Sequence, residues 1–132
     1  MVDAVDTLTV FSGSRRHVIR LTNVSDGTGE TTVAKLDISG LVGPDGAPPT
    51  RTVVEWIEYD VQGFTSVRLL WDHTTDDEIA VLGTGQGLSD WTASGGLTDP
   101  ASTGGTGDIL LTTAGGASGS TYNITIGLRL KD

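Results

Sequence analysis

The chain has 132 residues, among them 19 glycines and 4 prolines, and 19% of it is charged. That length makes one domain that buries about 65 to 70% of its unfolded surface. Seventeen acidic residues against eight basic ones give a formal charge of −9, which opposes non-specific binding to nucleic acid, because that needs clustered Lys and Arg to displace counterions. With no cysteine, the sequence excludes disulfides, thiolate metal sites and a cysteine nucleophile.

Met1 runs directly into VDAVDTLTV with no basic start or apolar core, and no apolar stretch is long enough to cross a bilayer. The expectation is a protein made in a cytoplasm, not secreted, with no membrane partner. The glycosylation patterns at Asn23 and Asn123 are then accidental. No stretch of twelve residues carries an apolar period of 3.6, whereas threonine, valine and glycine abound. The composition therefore predicts many short strands joined by tight turns.

In chain order, residues 1–6 are acidic and aperiodic and read as a flexible N-terminal arm that a partner orders. Strands follow at 7–11, 17–23 and 31–38, separated by turns at Ser12-Gly13-Ser14 and Ser25-Asp26-Gly27-Thr28-Gly29. Residues 40–50, GLVGPDGAPPT, hold three prolines and read as an ordered surface loop.

Residues 53–72, VVEWIEYDVQGFTSVRLLWD, carry the clearest organising pattern. Ile57, Tyr59 and Val61 alternate with Glu58, Asp60 and Gln62, and Val67, Leu69 and Trp71 with Ser66 and Arg68. The two halves are expected to pair as an antiparallel hairpin turning at Gly63 and Phe64, with all six apolar residues on one face. Beyond it come a short strand at 79–82, a loop opened by Gly83, Gly85 and Gly87, a short strand at 90–93 with Trp91 inward, and a long irregular loop at 94–108. The last strands are 109–113 and 122–130. In the latter Tyr122, Ile124, Ile126, Leu128 and Leu130 alternate without a break. About nine strands suit an all-β, antiparallel β-sandwich or jelly roll better than a small barrel.

Candidate chemistry is sparse. Asp72, His73, Asp76, Asp77 and Glu78 could offer oxygens to a hard cation, but they lack the alternating carboxylate ladder of a calcium loop and read as a solvated turn. His17 and His73 are the only histidines, and no serine sits in a nucleophile elbow. Gly83-Thr84-Gly85-Gln86-Gly87 has no following Lys-Ser/Thr or helix to hold a phosphate. Glu55 and Glu58, three apart on a strand, are expected on opposite faces and so cannot work as a glycosidase pair. No catalytic residue, metal or cofactor is assigned, and the chain is read as a non-enzyme. The interface candidates are Phe64, which at a hairpin tip either finds a partner or tucks onto its own domain, Trp56, whose parity places it outward, Leu97, and Val2 and Val5 on the arm.

Three runs of residues resemble a known group. They are Lys35-Leu36-Asp37-Ile38-Ser39-Gly40-Leu41, then Gly63-Phe64-Thr65-Ser66-Val67-Arg68-Leu69-Leu70-Trp71-Asp72, then Gly96-Leu97-Thr98-Asp99-Pro100 with Gly104-Gly105-Thr106-Gly107-Asp108-Ile109-Leu110-Leu111-Thr112-Thr113. From Leu36 to the C-terminus the chain is similar to small virion structural proteins of tailed bacteriophages, of the head decoration, or cement, type. The resemblance implies a β-sandwich that assembles as a dimer or trimer on the outside of a capsid. There it would bind the major capsid protein and copies of itself, and clamp neighbouring subunits. It transfers no site residue. The alternative is a carbohydrate-binding or adhesin-type β-sandwich, associated with a tail or fibre, that uses Trp56 and the loop at 94–108.

Overall fold

The computed structural model describes residues 4–13, 15–43, 45–49, 51–72, 76–98 and 108–131. Its strands are β1 (Ala4–Ser12), β2 (Arg16–Asp26), β3 (Val33–Leu36), β4 (Arg51–Trp71), β5 (Asp77–Asp90), β6 (Leu97–Thr98), β7 (Ile109–Ala114) and β8 (Ser118–Lys131). Short 3-10 turns occupy Ile38–Gly40 and Thr92–Ser94. All pairings are antiparallel, in the order β1-β2-β8-β4-β7-β3 with β5 and β6 added to β4. The sheet curls until it nearly closes into a barrel. The all-β antiparallel expectation holds, with eight strands among the described residues where about nine are expected.

The expected hairpin at 53–72 is replaced by one strand. β4 runs 21 residues without reversing. Its first half pairs with β8 from Arg51↔Lys131 to Gln62↔Thr121, and its second half pairs with β7 from Ser66↔Ala114 to Trp71↔Ile109. β5 follows both halves, with a break in register between Val61 and Ser66. Gly63 sits at that break with φ +87, a left-handed conformation that glycine adopts without the steric cost of a Cβ. The strand bends there instead of turning back, and Phe64 fills the inside of the corner. It is 1% exposed, with its ring 5.9 Å from that of Tyr122.

The face assignment survives this change of connection, because the bend preserves parity. Ile57, Val61, Val67, Leu69 and Trp71 are all buried, and Tyr59 packs against them. Register brings the core together in rows: Ile19, Ile126 and Ile57; then Leu21, Ile124 and Tyr59; then Leu69 and Leu111 around the bend. Burying one such side chain contributes about 1.5 to 3 kcal/mol, so the barrel interior can hold the fold without staples.

The segment after β2 seams the barrel. Thr113 N donates to Glu30 O at 3.0 Å, Glu30 N to Thr113 Oγ1 at 2.9 Å, and Thr32 N to Thr112 Oγ1 at 2.9 Å. Just inside this seam lies a buried polar group. Glu30 Oε1 accepts from Asn23 Nδ2 at 2.9 Å and from the Tyr122 hydroxyl at 2.6 Å, while Lys35 Nζ donates to Oε2 at 2.5 Å.

Other boundaries differ from the sequence reading. The arm expected at 1–6 is strand from Ala4 onward. Residues 83–87, expected as a glycine loop, lie inside β5, and in place of the strand expected at 90–93, Asp90 ends β5 and Thr92–Ser94 form a 3-10 turn. Leu97 and Thr98 form β6 against Val54 and Val53, and the rest of the expected long loop, 99–107, falls outside the described residues.

Candidate functional site

The surface over β2, β8, β4 and β5 is set by alternation. Side chains flanking the buried rows point outward, and register aligns Arg20, Thr125, Glu58 and Leu88 across four strands, with Thr22, Asn123, Asp60 and Gln86 beside them. A depression of about 330 Å³ lies over these rows, lined chiefly by Arg20, Glu58, Asp60, Gln86, Asn123 and Thr125. Asp60 is braced in it: Gln62 Nε2 donates to Oδ1 at 3.0 Å and Gln86 Nε2 to Oδ2 at 3.2 Å. These two hydrogen bonds, that of Gln62 first, hold its carboxyl below the usual carboxylate range. The lining therefore presents a fixed acceptor, two amides and an arginine, which suits a polar, polyhydroxylated ligand. Trp56, two residues before Glu58 on β4, does not line the depression; its half-buried indole lies against Gly127 so closely that a Cβ there would meet Nε1 at 2.0 Å.

At one end of this face, Glu55 sits in a register shift between Val54 and Trp56. The bulge turns its side chain toward Arg16 and Arg129, at 2.8 Å and 3.9 Å, which register with each other on the outer face. Glu55 and Glu58 thus do not lie on opposite faces as strict alternation predicts, because the extra residue shifts the period. Glu55 is 3% exposed and ion-paired, so it serves as a structural anchor.

A second feature is the margin of the sheet. β1 pairs only with β2 among the described residues. Val5, Leu8, Val10 and Phe11 are 46 to 55% exposed, as is the adjoining Val24 at 56%. Even Thr7 and Thr9, which face the same way as the buried Leu21 and Ile19, are uncovered. β1 therefore extends past the barrel interior with apolar side chains on both faces and one rim of main-chain donors and acceptors open to pairing. On the opposite margin β5, among the described residues, pairs only with β4 and exposes Val81 and Leu88.

Of the interface candidates, Val5 and Trp56 reach the surface. Leu97 packs partly onto the core, Phe64 takes the tucked arrangement, and Val2 lies outside the described residues. The structure adds Leu8, Val10 and Phe11. Their signal was present in the sequence TLTVFS, where apolar residues fall on both parities and so cannot all be buried by a strand with one covered face. In the acidic run, residues 73–75 are outside the described set, and Glu78 pairs with Arg68 at 2.5 Å. Among the described residues no three His, Asp or Glu side chains converge as metal ligands. Of the two histidines, His17 is 2% exposed, with Nδ1 3.2 Å from Ser12 Oγ, and burial pushes its pKa down.

Comparison with protein-family models and with curated proteins finds no match for this chain.

Proposed function

We propose that this chain is a structural component of a tailed-bacteriophage virion, a decoration or cement protein that binds the outside of the head and stabilises contacts between capsid subunits. The observation that carries the adhesive part of this reading is β1: a strand with Val5, Leu8, Val10 and Phe11 uncovered on both faces suits insertion between other proteins. Contiguous exposed apolar surface of this kind marks interaction sites, and a free strand rim adds main-chain pairing. The virion context rests on the resemblance of residues 36 onward. In this reading the flattened barrel serves as a sandwich whose two layers share the bent strands β4 and β5, and copies of the protein associate as a dimer or trimer through the β1 margin.

Sedimentation of the purified protein tests the association. The expected result is a concentration-dependent dimer or trimer, converted to monomer by Leu8→Glu with Val10→Glu while the β-sheet circular dichroism is unchanged. A wild-type protein that stays monomeric at high concentration overturns the self-association.

The polar depression of Arg20, Glu58, Asp60 and Gln86, on the same strand as Trp56, favours a second reading, a carbohydrate-binding module, in which the polar residues hydrogen-bond a sugar and Trp56 stacks on it. A glycan array with wild-type protein and Trp56→Ala separates the two. Sugar affinity lost in the variant establishes the second reading, and no sugar affinity leaves the first.

A further inference from the structure

We infer that Lys35 and Asn23 are joined by an intramolecular isopeptide bond, formed spontaneously in the folded protein with Glu30 as the catalytic residue. Three observations carry this. A primary amine, a carboxamide and a carboxyl group converge at one point: Lys35 Nζ lies 2.5 Å from Glu30 Oε2, and Asn23 Nδ2 lies 2.9 Å from Oε1 of the same group. All three are at least nine-tenths buried, Asn23 at 2%, Glu30 at 8% and Lys35 at 9% exposure. The Tyr122 hydroxyl, 2.6 Å from Glu30 Oε1, completes the cluster, and Tyr122 and its ring neighbour Phe64 are each 1% exposed.

Those are the three groups that aminolysis of an amide requires. In water the amine would be protonated and inert. Lys35 Nζ and Glu30 Oε2 share a hydrogen bond of 2.5 Å, and transfer of the proton along it leaves an amine with a free electron pair beside a carboxylic acid. The Nζ pair attacks Cγ of Asn23, the carbonyl pair moves to Oδ1, and the protonated Glu30 carboxyl donates its proton to that oxygen. An Asn amide presents its oxygen or its nitrogen to a neighbour by a half-turn about its last bond, so Oδ1 can face the acid. Glu30 then takes a proton from Nζ and passes it to Nδ2. The Cγ–Nδ2 bond breaks, the carbonyl re-forms as Oδ1 returns its proton to Glu30, and Nδ2 leaves as ammonia. One amine and one primary amide become one secondary amide and ammonia, with Glu30 regenerated and no oxidant or cofactor consumed.

The product ties the end of β2 to β3, closing residues 24–34 into a covalent loop at the seam of the barrel. β3 is a short strand that pairs only with β7 among the described residues, so it is the element such a tie secures most. This inference does not depend on the virion reading.

Mass spectrometry of the intact folded protein decides it. After incubation at 37 °C, the expected mass is that of the sequence less one ammonia. Trypsin should leave residues 21–51 as one fragment, because Lys35 no longer offers a free side chain for cleavage. Lys35→Arg and Glu30→Gln are each expected to show the full sequence mass. Folded wild-type protein with the full mass overturns the proposal. So does ammonia loss that persists in Lys35→Arg, since that places the reaction elsewhere, as in cyclisation of an asparagine onto its own backbone. Should Glu30→Gln fail to fold by circular dichroism, Lys35→Arg and the wild-type fragment map still decide between the outcomes.

Discussion

Single side chains set the local tolerances of this fold, and several act through glycine. Trp56 lies on Gly127, Tyr59 on Gly87 and Phe64 on Gly116, in each case so closely that a Cβ on the glycine would meet the ring at under 3 Å. An aromatic ring laid over a strand glycine covers backbone that the glycine leaves bare. The first two contacts explain why Gly87, which reads as loop punctuation, lies within β5 and why β8 carries a glycine at 127. Among titrating groups, His17 has a clear consequence. Burial lowers its pKa below the ordinary imidazole value of about 6.5, so the unfolded chain binds a proton that the folded protein resists. Its contribution to stability is complete above pH 6.5 and declines as pH falls from there toward the lowered folded value. Urea midpoints at pH 7.5, 6.5 and 5.5 should therefore drop more steeply for the wild type than for His17→Gln. Comparing the two removes the general relief of acidic repulsion. Equal slopes would show that His17 charges as readily folded as unfolded.

At the level of elements, β4 shows what could be read in advance and what could not. Alternation identified the buried face of residues 57–71 correctly, because apolar period depends only on which side of a strand is covered. It could not distinguish a hairpin from a bend. Gly63-Phe64 supplies turn chemistry for either, and the deciding factor is tertiary: β7 and β8 lie end to end along β4, so a continuous strand satisfies more backbone groups than a hairpin would. The same competition hid the length of β5, whose glycines are held by pairing along β4. For the candidate site, Trp56 and Val5 were legible from parity and position. The depression was not, because Arg20, Glu58 and Asn123 are brought together by a register between strands far apart in sequence. Gly63→Ala tests the bend. A Cβ there would meet Ser120 Oγ at 2.5 Å with φ at +87, so a loss of about 1 to 3 kcal/mol is expected from steric and backbone strain combined, measured by denaturant unfolding. A loss below about 0.5 kcal/mol would mean that the corner relaxes without cost.

The molecule as a whole is one sheet rolled around one interior, and its pairings are remote. β2 registers with β8 from Arg16↔Arg129 to Asp26↔Ser118, and β4 with β8 from Arg51↔Lys131. Domains dominated by such long-range pairing fold in milliseconds to seconds, so stopped-flow refolding should be slow and unfolding should show a single transition by fluorescence and circular dichroism. Refolding in tens of microseconds, or probes that disagree, would contradict this account of the core. The position of β8 carries a consequence for synthesis. It is the last of the eight strands in chain order, yet it lies between β2 and β4. While the ribosome is still making residues 118–131, β2 can pair with β1, and β4 with β5 and β7, but the margins of β2 and β4 that β8 joins stay open. β8 is thus the keystone of the sheet, and truncation before residue 118 would remove the strand that joins β1 and β2 to β4 and its other partners.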